Sequence, residues 1–280
     1  MIDGVGSVYR VWADPRKNKL APAMQLMPWP TYTVLDIQAL WRVVAELSGV
    51  GPAPTKAYVF RGQSNVNWSL QPSLFRHLPE NATESQAAIL ENDLMRVFQE
   101  KAHLHLSASD LPAESDRKQW WAIMQHHGAP TRLLDWTSSF LVALYFAVLE
   151  NWDLDGVVYV LHLEALGRDA TERAHPDLVP WFPVRPSHRM VAQQGLFIFG
   201  LKLLIDHEMF LDSLYRDRQL DGKGEAYRRV IIPPALKPLI LKQLHSMNVH
   251  AVSLFPGIDG LGRTANELAR LNRLFPRNEA

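Results

Sequence analysis

Apolar and polar positions alternate along the chain in two regimes: a helical front section, then strands and helices intermixed. Leu40, Val43, Val44 and Leu47 recur at helical spacing behind Thr33 and Asp36, whose separation resembles a capping box with Asp in place of Glu. A helix is therefore expected to about Leu47, where "GVGPAP" breaks it. "KAYVFRGQ" is β-branched and aromatic and reads as a short strand. Ile89, Leu94, Val97 and Phe98 mark an amphipathic helix over about 84–106. A second helix, about 114–127, carries Trp120, Trp121 and Met124 and stops at Gly128, a residue suited to a helix C-terminus.

After it, "TRLLDWT" predicts a strand or extended turn, and the unbroken run "FLVALYFAVL" a buried helix capped by Ser138 or Ser139. "GVVYVLHL" (156–163), "RMVAQQGLFIFG" and "AYRRVIIP" each read as strands, the last followed by a helix near 236–247. "PDLVPWFPVRPSH" (176–188) reads as a proline-rich loop, and "VHAVSLFPGIDGL" as a strand and turn before a last helix to about Leu274. This order predicts an α+β fold rather than regular βαβ winding. Residues 1–32 read as an N-terminal arm, and 33–275 as a single domain with a helical insertion at about 84–127 and a mixed, mostly antiparallel β core.

Composition changes this picture only at its edges. Nearly half of the 280 residues are hydrophobic, enough for a sizeable core. Lysine plus arginine equals aspartate plus glutamate at 29 each, which argues against a dedicated duplex nucleic-acid binder; "RVWADPRKNK" is the one dense basic stretch. The chain has no cysteine, so disulfides, thiolate metal sites and cysteine nucleophiles are excluded. The start lacks a signal-peptide pattern, and the longest apolar run is about half of a membrane span, so a soluble, cytoplasmic protein with no membrane partner is expected.

The candidate chemistry lies in a few short motifs. On a strand, Arg61 and Gln63 share one side, and Gly62 between them would let a bulky anion approach the backbone; a surface arginine before a turn is the plain alternative. His126 and His127 are adjacent, about 100° apart on a helix, and no i, i+4 histidine pair exists, so no catalytic metal is expected. One histidine could bond a substrate or orient Asp135; a helix-terminal histidine favoured by the dipole explains it equally. Thr131, Arg132 and Asp135 follow, with Asp135 open to reading as a structural partner of Arg132 or of Arg61. Thr137, Ser138 and Ser139 could be only a helix cap. Gln193 and Gln194, read on a strand, need hydrogen-bond partners among apolar neighbours. Asp259 in "FPGIDG" could stand near a site or serve a simple turn. No GxSxG elbow, Walker loop or GxGxxG is present.

Together "YVFRGQ", "LQPSLFR", "QHHGAPTRLLDWTSSFLVALYFA", "RMVAQQGLF" and "LFPGIDGL" resemble the FRG domain family over roughly 58–261, with Phe60-Arg61-Gly62 as its name-giving triplet. The motif order is also similar to that of ADP-ribosyltransferases: an Arg on a first strand, a Ser-Thr-Ser-like strand leading into an "A-x-x-F-A"-like helix, then a later strand. That second resemblance implies an ADP-ribosyltransferase-like β core with NAD as substrate. Arg61 would hold the NAD diphosphate or ribose, Ser138 or Ser139 would brace the nicotinamide pocket, and the third strand would contact the nicotinamide ribose. There the chain departs from the pattern, with Gln193 and Gln194 where a Glu is expected, and glutamine cannot serve as a carboxylate base. Asp135 or His127 could supply that function, and the Trp181–Phe182 loop could cover the ligand.

Three readings stand at this point. The first is an NAD-consuming enzyme, an ADP-ribosyltransferase or NAD glycohydrolase, acting as a toxin or antiphage-defence effector with catalytic Arg61, His127, Asp135 and Gln193. Its ligand would be bound by Gly62, Gln63, His126, Thr131, Arg132, Ser138, Ser139 and Gln194, and its partners would be a macromolecular acceptor or a neighbouring defence or antitoxin protein. The second is a non-catalytic module that binds a nucleotide or nucleic-acid ligand. The third is a protein-interaction domain whose polar cluster is a satisfied core network.

Overall fold

The computed structural model describes residues 31–47, 58–163, 166, 177–212 and 227–276. Most of the expected N-terminal arm, the basic stretch within it and the "GVGPAP" breaker lie outside the described residues. The fold is α+β, built on a seven-stranded mixed sheet. In chain order the strands are β1 (Thr31–Thr33), β2 (Tyr58–Gln63), β3 (Leu133–Thr137), β4 (Gly156–His162), β5 (Leu178–Trp181), β6 (Gly195–Gly200) and β7 (Tyr227–Ile232). Their order across the sheet is β1-β7-β4-β2-β3-β6-β5, parallel only between β1 and β7.

The strands arise where the sequence offers apolar residues on both faces. Every residue of β4 is buried, because the sheet is covered on both sides at its centre. On one face Phe60, Val158, Val160, Val230 and Ile232 meet α4 (Phe140–Val148), which is apolar all round and almost wholly buried. Around α4 pack α1 (Ile37–Leu47), α6 (Lys237–Ser246), the single turn α7 (Ala251–Leu254) and α8 (Ile258–Leu274). The same face continues over β3 and β6, where Trp120, Trp121 and Met124 of α3 (Arg117–His126) cover Leu133, Phe197 and Phe199. The other face, with Val59, Trp136, Tyr159 and Ile198, is closed by Leu70 and by Ile205, Phe210 and Leu211.

Several expectations on the elements are corrected. Asp36 alone caps α1, its carboxylate accepting from Ala39 N at 2.7 Å, while Thr33 belongs to β1. The long insertion helix, α2 (Glu84–Lys101), ends earlier than its periodicity suggested and passes into a 3-10 turn; its start is a true capping box between Thr83 and Gln86. Part of the proline-rich loop is the edge strand β5, where Pro180 is tolerated because an edge leaves one side of the ladder unpaired. "HRMVA" is not strand but the short helix α5 (His188–Ala192), capped by Ser187, whose side chain accepts from Met190 N at 3.3 Å. The expected strand at "VHAVSLF" is α7. Among the described residues no helix is long and apolar enough to cross a membrane.

Two buried charges tie the layers together. The Lys237 ammonium donates to the carbonyls of Ser64, Asn151 and Glu150 at 2.7, 2.9 and 3.3 Å, pinning α6 to two loops. Glu267 on α8 accepts from Tyr145 Oη at 2.5 Å, His245 Nε2 at 2.8 Å and Ala251 N at 3.4 Å. Burial pushes the Glu267 pKa up, but the hydrogen bonds from His245, Tyr145 and Ala251 outweigh it and leave the carboxyl below its usual value. A depressed carboxyl stabilises the fold above its unfolded pKa of about 4.3 and loses that contribution as pH falls through the folded value. Folding stability measured by urea melts should therefore fall as pH drops below about 4.3. Glu267→Gln should flatten that acid limb and also lower stability at neutral pH; an unchanged acid slope would count against the network.

Candidate functional site

β2 pairs with β4 over its whole length and β3 pairs with β6 over its whole length, yet β2 and β3 meet at one pair, Phe60 and Thr137. Beyond that pair the sheet splits. Arg61 fills the split, its Nη1 donating to the main-chain carbonyl of Asp135 at 2.6 Å. Its Nε is buried and has no partner among the described residues. Burial lowers the Arg61 pKa and the Asp135 carboxylate offsets part of this, but a guanidinium so placed keeps its charge.

Above the split lies a cavity of about 270 Å³. Its polar wall is Arg61, Gln125, His126, Asp135, Thr137, Arg189 and Gln193, and its apolar wall includes Phe60, Phe146, Met190 and Phe197. Asp135 is the one carboxylate in that lining. It is exposed, accepts from Gln125 Nε2 at 2.8 Å, and makes no salt bridge among the described residues. Gln125 in turn accepts a short hydrogen bond from Thr131 Oγ1. Partial burial, with His127 and Arg189 nearby, holds the His126 pKa below the usual imidazole value, which favours the neutral ring.

The cavity gathers five of the residues singled out in the sequence for their side chains: Arg61, His126, Asp135, Thr137 and Gln193. Gly62 also lines it, but for a different reason from the one expected. A Cβ there would stand 1.7 Å from the carbonyl oxygen of Ala143, so the glycine admits α4, not a ligand. Gln63 is buried on the opposite face of β2, with Nε2 donating to Ser69 O at 3.4 Å. His127 is exposed just past the end of α3, its ring edge-on to His126 at 4.9 Å, and outside the cavity lining. Thr131 is fully buried, and its backbone amide donates to Ser73 Oγ at 3.1 Å.

Arg132 is committed elsewhere. Its Nε and Nη2 grip both oxygens of Glu91 at 2.6 Å each, and its guanidinium lies over Trp121 at 4.6 Å. Asp135 is thus the ion-pair partner of neither arginine. Ser139 caps α4 and Ser138 bonds Gln194, and none of the three lines the cavity. Gln193 and Gln194 sit in the turn between α5 and β6, Gln194 with φ of 47°, rather than on a strand. The Gln193 side chain donates to Leu254 O at 3.1 Å. Trp181 stacks on Phe197 at 5.7 Å as core, and Phe182 is exposed, so neither covers the cavity. Asp259 lies in the first turn of α8, also outside it.

Arg189 and Gln125 are the polar wall residues that sequence reasoning missed, although Arg189 begins the quoted "RMVAQQGLF" and Gln125 the quoted "QHHGAPTRLLDWTSSFLVALYFA". Read as strand, Arg189 and Gln193 share a face but stand about 13 Å apart. On a helix they are four apart on one face, which is how both reach the cavity.

A family model described as the FRG domain matches residues 56–155, which carry β2, the insertion, β3 and α4. No curated protein and no solved structure matches the chain. Arg61, Gln125, His126 and Asp135 fall within the matched segment, whereas Arg189 and Gln193 come from beyond it. The split strand pair, the glycine that seats α4 and the polar wall from Arg61 to Asp135 all belong to that segment, and it is this segment that carries the match to the FRG domain.

Proposed function

We propose that the cleft binds a nucleotide and that NAD is the substrate its chemistry suits best. The observation that carries this reading is the pairing of two opposite charges at the split: the Arg61 guanidinium between β2 and β3, and the unpaired Asp135 carboxylate beside it. Guanidinium suits phosphate, through bidentate charge-assisted bonds. An exposed carboxylate suits ribose hydroxyls, or a positive charge developing on the ribose. Phe60, Phe146 and Phe197 offer apolar surface to a ring. A volume of about 270 Å³ accommodates one half of a dinucleotide, leaving the other half at the mouth.

In this reading the bond between the nicotinamide nitrogen and the ribose C1′ breaks, and its electron pair leaves with nicotinamide. The ribosyl cation is stabilised by the Asp135 carboxylate. Water, or a nucleophile on a macromolecular acceptor, then adds to C1′ and releases a proton. Such an ADP-ribosyltransferase-like or NAD-hydrolysing enzyme would act as a toxin or antiphage effector. A second reading, nucleotide binding without turnover, is favoured by Gln193, which offers an amide tied to Leu254 O where a transferase would present a carboxylate.

Nicotinamide release from NAD by purified protein separates the two. Wild type should release it. Arg61→Gln and Asp135→Asn should each reduce the rate by about 100-fold, the scale of removing one preorganised charge contact, with melting temperatures held within a few degrees. Binding of NAD without release would leave the binding module standing. Neither binding nor release would sink the nucleotide reading.

A further inference from the structure

The cavity has a second cationic feature, built by the part of the chain beyond the matched FRG segment. The Arg189 guanidinium of α5 lies 4.6 Å from the ring centroid of Phe255, and the Arg263 guanidinium of α8 lies 4.7 Å from the same centroid. Phe255 is buried and packs edge-on against Phe146, which lines the cavity. The ring therefore acts as a fixed post that sets the positions of both guanidinium groups. Each gains some attraction from the ring face. Among the described residues neither makes a salt bridge or a hydrogen bond, and the attraction of Asp135 for Arg189 offsets the repulsion from Arg263. The nearby carboxylate charge is Asp135, which also serves Arg61.

Arginines without an acid partner, held rigidly at the edge of a cavity, are preorganised for an anion. Two guanidinium groups, Arg61 and Arg189, line the cavity with one carboxylate, and Arg263 is held on Phe255 outside that lining. A single phosphate at Arg61 leaves the Arg189–Arg263 pair without a phosphate; two linked phosphates do not. We infer that Arg189 and Arg263, spaced by Phe255, form a second phosphate station, so that the cleft selects a nucleoside diphosphate or a dinucleotide over a mononucleotide. The inference rests on the nucleotide reading and deepens it. Arg189 and Arg263 become the specificity-determining residues, and they lie outside the segment that marks the family.

Titration calorimetry at low salt with AMP, ADP and inorganic pyrophosphate tests the station. Wild type should bind ADP at least about tenfold more tightly than AMP, the factor that one added charged contact supplies. Arg189→Gln combined with Arg263→Gln should bring the two nucleotides to within about twofold of each other, whereas Arg61→Gln should weaken both and keep their ratio. Arg263 is exposed and Arg189 partly so, which keeps the double variant folded; its melting temperature checks this. Equal affinity for AMP and ADP in wild type, or a preference that survives in the double variant, overturns the station. Pyrophosphate binding that depends on Arg189 and Arg263 with no gain from the nucleoside keeps the station and removes the nucleotide reading. No binding by any of the three overturns both.

Discussion

Glu91→Ala is expected to lose about 3–5 kcal/mol of folding stability, the scale for stripping one partner from a buried ion pair. Glu91 is 2 % exposed and faces two arginines. Arg132 binds it bidentately, with a side chain 13 % exposed, and Arg117 Nη2 adds a contact at 3.1 Å. Without the carboxylate, the Arg132 charge keeps only the carbonyls of Gly200 and Leu201, both at 3.3 Å, and the face of Trp121. Those contacts do not neutralise it, and α2 loses its anchor to the start of β3. Chemical denaturation of Glu91→Ala beside wild type measures the loss. Glu91→Gln should fall between them, since the amide oxygen still accepts one hydrogen bond. A loss below about 1 kcal/mol, the range of a surface pair, would refute the buried-pair account.

Gly62→Ala is expected to cost about 3 kcal/mol or more, at or above the upper range for overpacking a core. The added Cβ would stand 1.7 Å from Ala143 O and 2.9 Å from Ala147 N. Both are backbone atoms of a helix buried on every side, so no rotamer change relieves the clash. Either α4 moves away from β2 or β2 leaves the sheet, and both changes widen the split that holds Arg61. The variant should melt at least several degrees lower and lose nucleotide binding in parallel. A variant with the melting temperature of wild type but without binding would mean that the glycine serves the ligand directly, as the sequence first suggested.

That pair of outcomes shows where sequence reading reached its limit. The order Arg61-Gly62 was legible as special, because glycine inside a strand signals close approach of another backbone. Which backbone was not legible. The approaching group is α4, eighty residues along the chain, and nothing local to β2 encodes it. Arg132 and Asp135 show the same limit. Their type and spacing marked a polar cluster ahead of a buried helix, but the partner of Arg132 is on the insertion helix and Asp135 faces a cavity.

The sequence by itself determined the α+β class, the all-apolar α4, the central strand β4 and the FRG motifs, because each rests on periodicity or composition within a short window. Gln193 and Gln194 were misplaced on a strand because "RMVAQQGLF" carries an apolar alternation that suits either state; Ser187 capping α5 tips it to helix at its start. Only the tertiary structure decided that β2 and β3 part after a single pair, that Arg61 occupies the gap, and that Arg189 and Arg263 share one phenylalanine ring. The pairs Phe60–Thr137, Arg61–Asp135 and Arg189–Phe255 each join residues roughly 65 to 80 positions apart. The physical reason is that a local pattern fixes which face of an element is buried, whereas the identity of the charge that meets another charge depends on how the faces are stacked.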